Sequence, residues 1–120
     1  MYSNSQVIEV TDADFIVSKQ PKMRNTLWKQ GDRGYLLVYA SWCPNCQNKV
    51  DMWKKLATET HADYQNKRFL VTAADIDTAV PKLAAVLGID SIPRLFEIDA
   101  KGNLEPLDTD WSPVDLRKRI

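Results

Sequence analysis

Cysteine is scarce in this sequence. There are two, Cys43 and Cys46, and they share one short motif. A small secreted scaffold held by disulfides uses more cysteines at wider spacing. A bridge across so short a loop constrains the unfolded chain little, so a purely structural staple is the weaker account of the pair. Histidine is scarcer still, with His61 alone. A closed zinc site takes four ligands, and His61 is the one soft candidate beyond the two cysteines, so a zinc half-site would need a second chain and no metal is expected. His61 itself is expected to be exposed near the end of a helix, not a catalytic base. Neither sign of charge is in excess, with 16 Lys and Arg against 16 Asp and Glu. That balance gives no electrostatic reason to expect nucleic acid or an anionic membrane as partner. No apolar run approaches the roughly 20 residues of a membrane span. Residues Met1 to Gln6 have neither the basic start nor the apolar stretch of a secretory signal, so the expected setting is cytoplasmic and reducing.

What is present is enough for one core. A chain of 120 residues suits a single domain over 1–120, expected to be monomeric, with no internal repeat, low-complexity segment or linker. Val7 to Val10 is a short strand candidate. Thr11 follows as a helix N-cap with Asp12 and Asp14 in the first turn, and Phe15 and Ile16 begin an apolar face. Pro21 interrupts this helical stretch, and a second piece from Met23 to Lys29 is expected to resume it. Gly31 to Gly34 is a turn. Tyr35 to Ala40 is a nearly continuous apolar run, as in a strand covered on both faces. After Cys43, apolar residues recur at helical spacing through Val50, Trp53, Leu56, Ala57 and Thr60. Arg68 to Ala74 is a second buried strand, and Val80 to Leu87 a short helix stopped by Gly88. Ile92 to Ile98 and Leu104 to Leu107 form a hairpin across Ala100 to Asn103. Ser112 caps a last helix with Arg117, Lys118 and Arg119 near its end. Alternation of strand and helix calls for parallel pairing and the final tight turn for an antiparallel pair, so the fold class is α/β, a central mixed sheet flanked by helices.

The motif sits where a buried strand meets a helix. Residues three apart in a first helical turn bring their side chains within the range a disulfide tolerates. Pro44 falls at the first helical position, where its missing N–H does no harm. Cys43 lies at the helix N-terminus, where unpaired N–H groups and the dipole favour a thiolate. Cys46 lies one turn inside, more shielded. The asymmetry assigns Cys43 to attack a substrate disulfide and Cys46 to resolve the mixed disulfide. A peroxidase-type single reactive cysteine with Cys46 resolving stays open at this point.

The segment Val38-Tyr39-Ala40-Ser41-Trp42-Cys43-Pro44-Asn45-Cys46, closing a buried strand, resembles the thioredoxin active site. The resemblance covers nearly the whole chain. Val7 to Phe15 is similar to that family's first strand and helix start, Gly88 to Pro93 to the loop carrying its cis-proline, and Ala100 to Asn103 to its hairpin turn. It implies a thioredoxin-like fold and a protein disulfide reductase that needs no cofactor. The implied partners are a disulfide-containing protein substrate and a reductase or small thiol as electron donor. It places a cis-proline at Pro93, where the missing N–H removes one competing ligand beside the thiols. It gives the Ile92 backbone the role of pairing with an extended substrate segment. Trp42, Pro44, Ile92 and Pro93 are thus the implied substrate contacts.

The sequence also departs from that family. The buried acid usual six positions before the first cysteine is Leu37, and the matching lysine of the third strand is Ala73. With both gone no lone buried charge is left, but Cys46 must give its proton to water or to the departing thiolate, so slower or more pH-dependent turnover is expected. Pro44-Asn45 stands between the cysteines where thioredoxin has Gly-Pro, and a less reducing potential is expected. Asp51 stands in place of a helix-kinking proline, so that helix is expected to be straighter. Arg94, after Pro93, is a bulky cation that either steers acidic substrates and supports the Cys43 thiolate or is a solvated strand residue. Two other functions stay open. One is a more oxidising oxidase or isomerase, favoured by Asn45 and the missing acid. The other is a non-enzymatic partner-binding module, against which the intact cysteines speak.

Overall fold

The computed structural model describes residues 1–63, 68–108 and 112–120, and of 61–63 the backbone only, so the side chain of His61 lies outside the described residues. A five-stranded sheet runs in the order β1-β5-β4-β6-β7. Its strands are β1 (Ile8–Glu9), β4 (Arg33–Tyr39), β5 (Phe69–Asp75), β6 (Arg94–Ile98) and β7 (Leu104–Pro106). β1 and β4 pair parallel to β5, while β6 is antiparallel to β4 and β7 to β6. The helices are α1 (Pro44–Gln47), α2 (Val50–Asp63), α3 (Pro81–Leu87) and α4 (Pro113–Lys118).

Alternation along β4 divides the core, because successive strand residues face opposite sides. Tyr35, Leu37 and Tyr39 share one buried layer with Cys46, Trp53 and Leu56 of the following helices and Leu116 of α4. Leu36 and Val38 share the other with Val10, Phe15, Leu83 and Phe96. Buried polar groups tie the first layer together. The Tyr35 hydroxyl donates to the Leu116 carbonyl at 2.6 Å, and Nε1 of Trp53 donates to the Thr72 carbonyl at 3.1 Å.

The first third of the chain departs from the helical expectation. Thr11 does cap, and its capping box with Asp14 is complete, but only a 3-10 turn over Asp12–Asp14 follows. The chain then pairs β2 (Phe15–Ile16) with β3 (Lys22–Met23) as a small antiparallel hairpin, so no helix resumes at Met23. Two forces explain this. The Asp12 carboxylate accepts the backbone N–H groups of Lys82 and Leu83 at 3.1 and 3.0 Å, and thus caps α3 instead of supporting a helix of its own. Pairing Phe15 with Met23 buries both side chains, which a helix broken at Pro21 would not do.

Two further boundaries moved. Arg33 and Gly34, expected in a turn, open β4. The helix after the cysteines is not straighter but divided into α1 and α2 around Asn48 and Lys49. There Lys49 N–H donates to the Cys46 carbonyl at 3.1 Å, a tighter i−3 bond than an α-helix makes. Asp51 accordingly sits in the first turn of α2, where a carboxylate is favoured. Elsewhere the elements fall as expected. Gly88 ends α3 in the left-handed conformation, φ 65°, which a residue without Cβ adopts freely.

Candidate active site

β4 and β5 end side by side because they run parallel, and the chain leaves β4 directly into the cysteine motif. Loops at the carboxyl ends of parallel strands are where such sheets build sites. Cys43 is the N-cap of α1. Its backbone is extended, φ −86° and ψ 115°, and its Sγ accepts the N–H of Cys46 at 3.2 Å. Pro44 follows at the first helical position, exposed, with Asn45 exposed beside it. Cys43 keeps 5% of its surface exposed and Cys46 none, so Cys46 lies behind Cys43 as seen from solvent.

From the other side the Ile92–Pro93 peptide, which is cis, carries the Ile92 carbonyl to 4.0 Å from Cys43 Sγ. Ile92 and Pro93 are half-buried. Trp42 is 66% exposed, yet its indole is fixed: Nε1 donates to Asp77 Oδ2 at 2.8 Å. Asp77 sits just past β5, and its own N–H donates to the Asp75 carboxylate at 2.8 Å. Local spacing gave no sign of Asp77, though convergence of the parallel strand ends could have pointed to it. Arg94 is half-buried at the start of β6, in register with Val38 of β4. Leu37 is fully buried, with Ala73 and Leu95 as its register partners. The two positions that lack the buried charges therefore do face each other across β4 and β5. Among the described residues no cluster of His, Cys, Asp and Glu is arranged to hold a metal ion.

Burial pushes the Cys46 thiol up to about 12, and its hydrogen bond with Cys43 adds to the shift, while the Ala40 backbone N–H opposes it. The unfolded chain gives up this proton near its ordinary value of 9.0. The folded, reduced protein should therefore lose stability as pH climbs from about 9 towards about 12, because the unfolded chain releases this proton first. Denaturant unfolding of reduced wild type and Cys46→Ser between pH 8 and 10 checks this. The wild type should show the steeper loss, and equal slopes would contradict it.

A family model described as Thioredoxin matches residues 14–110. Among solved structures, the J-Trx1 fragment of ERdj5 superposes with a TM-score of 0.67 at 18% sequence identity, covering 95% of this chain and 49% of that one. The chain thus spans about half the length of that structure, and at this identity the likeness is one of fold. No curated protein matches the chain.

Proposed function

Because the chain belongs to the thioredoxin family, whose fold with two close cysteines is that of a thiol–disulfide oxidoreductase, we propose that it reduces protein disulfides through a Cys43/Cys46 cycle. The Cys43 thiolate attacks one sulfur of a substrate disulfide. An S–S bond forms to Cys43, the substrate's own S–S bond breaks, and its other sulfur leaves as a thiolate. Cys46, deprotonated, then attacks Cys43 Sγ, forming the intramolecular disulfide and releasing the second substrate thiol. The enzyme loses two electrons and the substrate gains them. A reductase or small thiol returns them.

The observation that carries this reading is the placement of Cys43 Sγ at a helix start, accepting the Cys46 N–H at 3.2 Å, with Cys46 sealed one turn behind it. Trp42, Pro44 and the Ile92–Pro93 bend border the sulfur and supply the contact surface for an extended substrate segment. The reducing direction is favoured by what surrounds Cys43. A strong oxidant stabilises its reduced form with extra partners for the thiolate. Here the hydrogen bonds to Cys43 Sγ come from Cys46, and no cationic side chain among the described residues bonds to it.

Equilibration against glutathione buffers tests the direction. The reductase reading expects a potential below about −200 mV, on the thioredoxin side of the scale, while a value above it would favour an oxidase or isomerase.

A further inference from the structure

The layer beneath the cysteines contains a group the mechanism has not used. Tyr2 is only 1% exposed, and its hydroxyl is enclosed without a hydrogen-bond partner. A buried hydroxyl left unpaired costs about 1–3 kcal/mol, so its retention calls for a reason. The other orphaned buried donor among the described residues, Nε1 of Trp28, belongs to the opposite core layer.

The segment carrying Tyr2 is held in place. Asn4 takes a left-handed turn, φ 58°. Ser5 Oγ donates to the Tyr2 carbonyl at 2.5 Å and accepts the Val7 N–H at 3.2 Å, locking the turn into β1. The Tyr2 ring stands edge-on to Tyr39, with centroids 5.3 Å apart, in the layer that holds Cys46, Leu37 and Ala73. Tyr39 is already engaged, since its hydroxyl bonds Glu9 Oε1 at 3.1 Å. Leu37 and Ala73 offer no polar hydrogen, so among the described residues of this layer the side-chain donor left without a partner is Tyr2.

Cys46 needs such a donor at one moment. In the resting dithiol it shares a hydrogen bond with Cys43. Once Cys43 is bound to substrate sulfur that thiolate is consumed, and Cys46 must itself become an anion inside the core. We propose that the Tyr2 hydroxyl donates a hydrogen bond to Cys46 Sγ as it becomes the resolving thiolate. Tyr2 keeps its proton throughout, and the Cys46 proton leaves to solvent or to the departing thiolate. Burial holds the Tyr2 phenol well above its ordinary range, and the neighbouring Tyr39, Cys46 and Glu9 push the same way, so it stays a donor. The ionisable groups acting on Cys46 are Cys43 and Asp75, and both also oppose the anion.

The inference rests on the cycle proposed above, and the test separates the two. Reduced wild type, Tyr2→Phe and Tyr39→Phe are mixed with glutathione disulfide across pH 6–10 and quenched in acid. Intact mass then resolves the Cys43–glutathione adduct from the closed disulfide. Tyr2→Phe keeps the ring and its packing. It should form the adduct at the wild-type rate but close it ten- to a hundredfold more slowly, the loss of one hydrogen bond to a charged group, with its closure curve moved to higher pH. Tyr39→Phe, which removes a hydroxyl bonded elsewhere, should close like wild type. Closure by Tyr2→Phe at the wild-type rate and pH curve would overturn the inference and leave the cycle standing. So would equal slowing in Tyr39→Phe, because general loosening of the layer would then explain both. A wild type that forms the adduct and never closes it would remove the cycle and the inference together.

Discussion

Cys43→Ser should abolish disulfide turnover, lowering it by at least about a thousandfold, as removal of a nucleophile does. The reason is chemical. A serine hydroxyl in the same N-cap position makes the same bond to the Cys46 N–H, so fold and helix start are kept, but at neutral pH it supplies no anion able to displace a thiolate. Cys46 cannot take over, because it is fully buried and its thiol is pushed up to about 12, first by burial. A thiol that rarely ionises and that substrate cannot reach is no first attacker. Turnover in an insulin reduction assay with dithiothreitol measures the loss. Activity within tenfold of wild type would mean that the reacting group is not Cys43.

The second large effect lies at the other end of β4. Gly34→Ala should destabilise the fold by about 3 kcal/mol or more, beyond ordinary overpacking. A Cβ on Gly34 would stand 2.2 Å from the Leu70 carbonyl oxygen and 3.1 and 3.2 Å from Leu70 C and N. These are backbone atoms, so no side-chain rotation relieves the contact. Gly34 is also the register partner of Leu70 on one side and Ile98 on the other. Room for a methyl therefore means spreading the central ladder of the sheet. Urea unfolding of the two proteins gives the difference, and a loss under 1 kcal/mol would mean that the strands lie farther apart than described. The cysteines follow the far end of β4, so whatever fraction of Gly34→Ala folds should still react at Cys43.

These two sites differ in how plainly the sequence announces them. The cysteine motif is local: an apolar run, Trp42, two cysteines one turn apart and a proline at the first helical position all lie in one stretch. The same holds for α3, bounded by Pro81 and Gly88, and for the final hairpin. Gly34 sits in a glycine-containing stretch that reads as a turn, and only pairing on both sides shows that the strand has begun. The first third of the chain misleads for a related reason. Thr11 and Asp12 carry a true capping signal, but Asp12 spends its carboxylate on α3, far along the chain. Local chemistry identifies a cap without saying which helix it serves.

Long-range placement also hides part of the site. Leu37 and Ala73 could be matched to missing charges by position, and they are register partners. The tyrosine brought into that layer from the N-terminal turn, and the carboxylate that fixes the Trp42 indole, carry no signal in spacing. Their roles arise from which strand ends and turns meet. The break at Asn48 and Lys49 is of the same kind, since hydrogen bonding at the end of α1 divides the helix without a proline.

Cys46→Ser isolates the first chemical step, because attack then has no resolving partner. Incubated with a disulfide-containing protein and separated without reductant, this variant should accumulate as a mixed disulfide, and peptide mapping should place the foreign chain on residue 43 alone. An unmodified variant, with Cys43 still free after the wild type has consumed the same substrate, would contradict the assignment of an attacking sulfur at the start of α1.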